Sequence, residues 1–91
     1  MKKCNLRDLE KYCYYNNVNK YSVEVKYIFR GRFSSIEIFI MPDAICLEDL
    51  SGNCLTIQRV ESIYRIDDST FLVYSDYYGS QIETKIICQR E

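Results

Sequence analysis

At Val18 the spacing of apolar residues changes from that of a helix to that of a strand. This change of period constrains the fold more than any other feature of the chain. Before it, Leu6, Leu9 and Cys13 recur at i, i+3 and i+7 with Tyr12 alongside, while Arg7, Asp8, Glu10 and Lys11 hold the opposite face. The pattern predicts a helix over about residues 5–16, with Asn5 as N-cap, Asp8 three residues on, and Asn16-Asn17 as the stop. Three turns are marginal in water, so the Leu6/Leu9/Cys13 stripe must dock on the rest of the chain.

Beyond Val18 the period is two. Val23, Val25, Tyr27 and Phe29 alternate with Ser22, Glu24, Lys26 and Ile28, and Ile36, Ile38 and Ile40 share a face after Arg30-Gly31-Arg32. A two-residue turn at Gly31-Arg32 predicts a hairpin pairing Tyr27 with Ile36, Val25 with Ile38 and Val23 with Ile40, with Lys26 opposite Glu37. A slip of one turn residue opposes Glu24 to Glu37, so the first register is preferred. Pro42-Asp43 ends that run, because proline cannot donate to a ladder. Short strands over 44–47 and 54–58 flank a turn at Glu48–Asn53, and a change of parity near Arg59 calls for a bulge or bend.

Asp67-Asp68-Ser69 is turn chemistry, and a last hairpin spans Thr70 to Tyr77 and Gln81 to Gln89. A three-residue loop there places Val73 across from Lys85, so two loop residues are expected, with a face of Phe71, Val73, Ile82 and Ile86. The expected fold is mainly β (α+β). A short N-terminal helix leads into an antiparallel meander of about six strands over 18–89, which closes into a small barrel or packs one face under the helix. At 91 residues the chain has room for one domain, 1–91.

Twelve basic and thirteen acidic residues leave a net charge of −1, so the positive field that draws proteins to nucleic acid or anionic lipid is missing. No run approaches the length of a membrane span, and no apolar stretch follows the basic start, so a cytoplasmic protein is expected. Five cysteines, an odd number without C-x-x-C spacing, suit reduced thiols better than a disulfide framework. Four of them are expected in or near the core, and Cys4 lies near the N-terminus.

The chain has no histidine, which removes the commonest general base and zinc ligand. It also lacks a phosphate loop, a nucleophile elbow and a dinucleotide fingerprint. A non-enzymatic protein with no cofactor and no metal is expected. Asp49, Ser51 and Asn53 are spaced as a calcium loop begins, but the glycine is misplaced and no downstream glutamate follows, so an ordinary turn is expected.

Tyrosine is the compositional outlier, at nine residues with no tryptophan. Tyr27, Tyr64 and Tyr77 fall on apolar faces, whereas Tyr14, Tyr15, Tyr21, Tyr74 and Tyr78 do not. Tyrosine suits half-buried strands, but it is also favoured in protein-binding hot spots. The expected partner surface therefore comprises Tyr14, Tyr15, Tyr74 and Tyr78, rimmed by Asp76 and Glu83.

The first expectation for function is a small protein-binding module or protein inhibitor. Its size and acidity match inhibitors that phages and mobile elements direct at host nucleic-acid-binding enzymes, with acidic turns at Glu48-Asp49, Asp67-Asp68 and Asp76 facing a basic groove. The alternative is a single-stranded nucleic-acid-binding barrel using Lys26, Arg30, Arg32 and Phe33, which the net charge disfavours. A third is a homodimer or other homo-oligomeric accessory subunit joined through the outward Ile28, Phe39, Leu72 and Ile87.

Overall fold

The structure is a computed structural model and describes residues 1–90. Its elements in chain order are β1 (Lys2–Cys4), α1 (Leu6–Tyr15), β2 (Lys20–Val25), β3 (Phe29–Phe33), β4 (Ser35–Phe39), β5 (Ala44–Glu48), β6 (Cys54–Ile57), β7 (Val60–Arg65), β8 (Thr70–Tyr77) and β9 (Ser80–Gln89). A mainly β fold with a short N-terminal helix and antiparallel strands is thus observed. The strands divide between two sheets: a six-stranded one ordered β1-β7-β8-β9-β2-β3 and a three-stranded one ordered β4-β5-β6. Two meanders, β4-β5-β6 and β7-β8-β9, account for six of the strands.

The helix forms for local reasons. The Asn5 side chain accepts from the Asp8 amide and the Asp8 carboxylate accepts from the Asn5 amide, each at 2.9 Å, a complete capping box. At the other end Asn17 takes a left-handed φ of 50°, and the amides of Asn17 and Val18 reach the carbonyls of Tyr14 and Cys13. This is the Schellman closure, in which asparagine is tolerated at the left-handed position. Leu6, Leu9 and Cys13 are the buried stripe, as their spacing requires.

The last hairpin has the two-residue loop that the position of Lys85 demanded. Tyr77 pairs with Ser80, Val73 with Thr84 and Phe71 with Ile86, while Lys85 opposes Leu72 on the outer face. Tyr78 and Gly79 both have positive φ, 50° and 86°, the mirror-image turn that suits strand twist. The parity change near Arg59 is also present: Arg59 has φ 54°, and the β7–β8 register shifts between Val60 and Ser62.

The first hairpin differs from expectation. The chain turns at Lys26-Tyr27-Ile28, not at Gly31-Arg32, and β2 pairs with β3 so that Val25 faces Phe29 and Val23 faces Gly31. The Ile36, Ile38 and Ile40 run belongs to the small sheet, where Ile36 pairs with Leu47 and Ile38 with Ile45. Two physical reasons favour the observed register. Glu24 lies opposite Arg30 with an ion pair at 3.0 Å, and Lys85 flanks Glu24 on β9, so charges alternate across the outer face. Gly31 also lets the Phe29 ring lie over the strand, since a Cβ there would meet the end of that ring at 2.6 Å and push it aside. Tyr27, expected on the core face, consequently stands at the turn and is 96% exposed.

One core joins the layers. It contains the helix stripe, Tyr21, Val23, Val25, Phe33, Ile63, Phe71, Val73, Ile86 and Cys88 of the large sheet, and Ile45, Leu47 and Ile57 of the small one. Tyr21, set apart from the apolar faces by the sequence reading although it shares the parity of Val23 and Val25, is 3% exposed, and its hydroxyl donates to the Val18 carbonyl at 3.3 Å.

Candidate functional site

The core face of the large sheet changes character along its strands. Where the helix covers it, the cross-strand row is Phe71, Ile86 and Val23; farther along come Val73, Thr84 and Val25, and then Ser75 opposite Ile82. Beyond that point the small sheet and the β8–β9 hairpin diverge, leaving a cleft of about 450 Å³. Val25 and Ile28 line one side, Leu55, Ile57 and Arg59 another, and Ser75, Tyr77, Tyr78, Ile82 and Thr84 the third. Ser75 and Thr84 are buried polar residues at its inner end.

Two turns frame the opening. β2 ends at Val25 beside Thr84, and the Lys26 amide donates to the Glu83 carbonyl, so the 26–28 loop sits partway along the β8–β9 hairpin and on the same end of the sheet. The loop exposes Tyr27 and Ile28, and the hairpin tip exposes Tyr77 and Tyr78, whose rings meet edge to face at 4.7 Å. Arg59 and Asp76 pair at the rim at 3.8 Å, while Lys26 pairs with Glu83 on the outer face of the large sheet, also at 3.8 Å. Such pairs at a rim contribute orientation more than affinity.

Backbone strain concentrates at the same place. Four non-glycine residues have left-handed φ: Asn17, Tyr27, Arg59 and Tyr78. Asn17 closes the helix, but the other three belong to the segments that frame this cleft. A bulky side chain in that region costs on the order of 1–3 kcal/mol, and glycine or asparagine would serve a turn better. Tyrosine stands at both tips despite its local cost.

The six residues expected to bind a partner do not form one surface. Tyr78 and Asp76 border the cleft. Tyr74 and Glu83 lie on the outer face of the large sheet, where the tyrosine hydroxyl donates to the carboxylate at 2.9 Å and Tyr64 packs edge-on at 5.8 Å. That bond to Glu83 holds the Tyr74 hydroxyl above its ordinary pKa. Tyr14 and Tyr15 are exposed at the helix end, where the chain continues to Asn19 beside Gln89, and β9, about 30 Å long at strand rise, runs from there to Ser80. Sequence reasoning missed Leu55, Arg59, Ser75 and Thr84, and named Ile28 only as a contact between copies of the chain, although the parity of Val73 already places Ser75 and Tyr77 on the core face.

The alternative nucleic-acid set is also dispersed. Phe33 turns into the core at 6% exposure, Arg30 pairs with Glu24 and Lys26 with Glu83, so ring and basic groups do not share a groove. Of the outward apolar residues, Leu72 and Ile87 are half-buried on the large sheet, Phe39 is exposed on the small sheet, and Ile28 lies at the cleft. They form no continuous patch.

Asp49, at the start of the possible calcium loop, uses its carboxylate locally. It accepts from the amides of Ser51 and Asn53 and from the Asn53 side chain, all at 2.9 Å, and this bonding, the Asn53 side chain foremost, lowers its pKa. Among the described residues, no group of three or more His, Cys, Asp or Glu is placed to hold a metal ion, and no helix is long and apolar enough to cross a membrane. The fold and cleft define a small two-sheet β protein with an aromatic-tipped opening between its sheets. No family model, curated protein or solved structure matches the chain.

Proposed function

We propose that the protein is a non-enzymatic binding module that engages another protein through the open end of the large sheet. Tyr77 and Tyr78 serve as anchors and Tyr27 and Ile28 as the opposing contact. The observation that carries this reading is the retention of exposed tyrosines at two strained turn tips beside one cleft. Local conformational preference opposes them and core packing does not need them, which leaves contact with a partner as their use. Tyrosine provides large amphipathic contact area with little loss of side-chain freedom, and hot spots cluster where such rings meet a pocket.

The acidic turns contribute less. Asp67-Asp68 lies at the helix-covered end of the hairpin, Asp76 at the open end and paired to Arg59, and Glu48-Asp49 on the small sheet. An inhibitor of a basic, nucleic-acid-binding enzyme is the narrower form of this proposal, and its support is size and net charge. The test is affinity capture with the wild type and a Tyr77→Ala/Tyr78→Ala variant, followed by calorimetry on the purified captured protein. A loss of at least about tenfold in affinity with unchanged circular dichroism is expected for a hot-spot pair. Equal affinity of the two forms would sink the proposal.

A further inference from the structure

The five cysteines occupy three different environments. Cys13 and Cys88 are buried beneath Tyr21, and the hydrogen bond to Cys13, reinforced by burial, holds the Cys88 thiol far above the usual cysteine range. Cys4 is half-buried, and desolvation raises its pKa as well. Cys46 and Cys54 are different. They lie on the outer face of the small sheet, on neighbouring strands β5 and β6, with their sulfurs 2.9 Å apart and Cys54 exposed. The Thr56 hydroxyl stands 3.7 Å from each sulfur.

We propose that Cys46 and Cys54 are a redox-active dithiol that closes reversibly to a disulfide by exchange with a small-molecule disulfide of the glutathione type. Three observations carry it. The sulfurs need only close from 2.9 Å to about 2.05 Å, a short approach that a small shift of the edge strand supplies. Solvent reaches the pair, unlike the core thiols, so an exchange partner can approach in line with a sulfur. The two positions are also diagonal neighbours: Cys46 faces Thr56 and Cys54 faces Glu48. Diagonal Cα atoms are about 7–8 Å apart, just beyond the usual disulfide range, so closure must draw the edge strand β6 inward and yields a strained bond that reductants open readily. That combination suits a switch and not a permanent staple.

The exchange balances in two steps. The Cys54 thiol loses its proton to solvent, and its thiolate attacks one sulfur of oxidised glutathione. This forms a mixed disulfide and releases one glutathione thiolate, which takes up a proton. Cys46 then loses its proton and attacks the Cys54 sulfur; the second glutathione leaves, again protonated. The dithiol is oxidised by two electrons, and one glutathione disulfide is reduced to two thiols. While both thiols are free, the hydrogen bond to Cys54 raises the Cys46 pKa, and Cys54 is the more exposed sulfur, so Cys54 makes the first attack.

The test is incubation of the full chain in glutathione buffers of graded oxidised-to-reduced ratio near pH 8, then acid quench, thiol titration under denaturing conditions and peptide mapping. Titratable thiols are expected to fall from five to three, with one linked peptide joining Cys46 to Cys54, and dithiothreitol should restore all five. A Cys46→Ser variant, a solvent-facing change that spares the core, should instead stop at a glutathione adduct on Cys54. Five free thiols across the series, or a link through Cys4, Cys13 or Cys88, would overturn the assignment. So would a Cys46→Ser chain that resists glutathionylation while remaining folded.

Discussion

The two ends of the large sheet are built from the same strands yet solve opposite problems. At the helix end the cross-strand row Phe71, Ile86 and Val23 is sealed by α1, with the Tyr12 ring edge-on to Phe71 at 5.2 Å and the Arg65 guanidinium lying over Tyr12 at 4.8 Å. At the far end the row ends in Ser75 and Ile82, no helix covers it, and Tyr77 and Tyr78 project beyond the sheet. Apolar area removed from water accumulates at the first end, and exposed aromatic area and backbone strain accumulate at the second. On the proposed reading, stability and contact then fall at opposite ends, which suits a domain this small, where few large side chains can be spared from the core.

The comparison is broken most severely from the sealed end. Leu9 is fully buried between helix and sheets, so Leu9→Ala should cost about 2–5 kcal/mol, the range for a buried leucine whose cavity collapses incompletely. Chemical denaturation measures it. Partner affinity extrapolated to the folded fraction should not change; a matching affinity loss would mean that the ends are not separate. Next in size is Tyr21→Phe, which keeps the ring but removes the hydroxyl bonded to Val18. A loss of about 0.5–1.5 kcal/mol in the same denaturation experiment is expected.

The open end should respond with the opposite sign. Tyr78→Asn places a residue suited to left-handed φ before Gly79, giving the asparagine-glycine pair that two-residue hairpins prefer. A gain of about 0.5–1 kcal/mol is expected, together with weakened partner binding. A variant that is stabilised and still binds would show that the strained ring is incidental, whereas a destabilised one would show that Tyr78 packs in a way its exposure conceals.

How far the sequence revealed this arrangement depends on how local each constraint is. The helix and its Asn5 cap, the two-residue loop of the last hairpin and the irregularity at Arg59 were all legible, because each depends on residues within a few positions of one another. The first hairpin was not. The Lys26–Glu37 attraction that favoured a turn at Gly31 was outweighed by Glu24–Arg30, and the role of Gly31 in making room for Phe29 is a packing fact with no periodic signature. The cleft was half visible. Tyr78 and Asp76 were chosen on composition, but the wall supplied by Leu55 and Arg59 comes from the other sheet, and alternation within a strand says nothing about which sheets meet. Tyr14 and Tyr15 were grouped with the hairpin for their residue type and lie a full strand length away.

The mildest way to sharpen the contrast is pH, through the turn that closes the sealed end. The Asp67 carboxylate accepts from the Ser69 amide at 2.9 Å, and that bond, with further donors from Thr70, lowers its pKa below the ordinary aspartate value. A carboxyl whose pKa is depressed by folding adds stability that is complete above the unfolded value, about 3.9, and is lost as pH falls through the folded one. Asp49 behaves in the same sense in the small sheet. Acidification from pH 5 to pH 3 should therefore weaken protection of the Ser69 amide from hydrogen exchange, after correction for intrinsic rates. Asp67→Asn should remove the pH dependence while keeping the turn, since asparagine offers the same acceptor without a titration. If Ser69 protection is flat over that interval in the wild type, the carboxylate is not what holds the turn. The sealed end would then owe its order to the row beneath the helix alone.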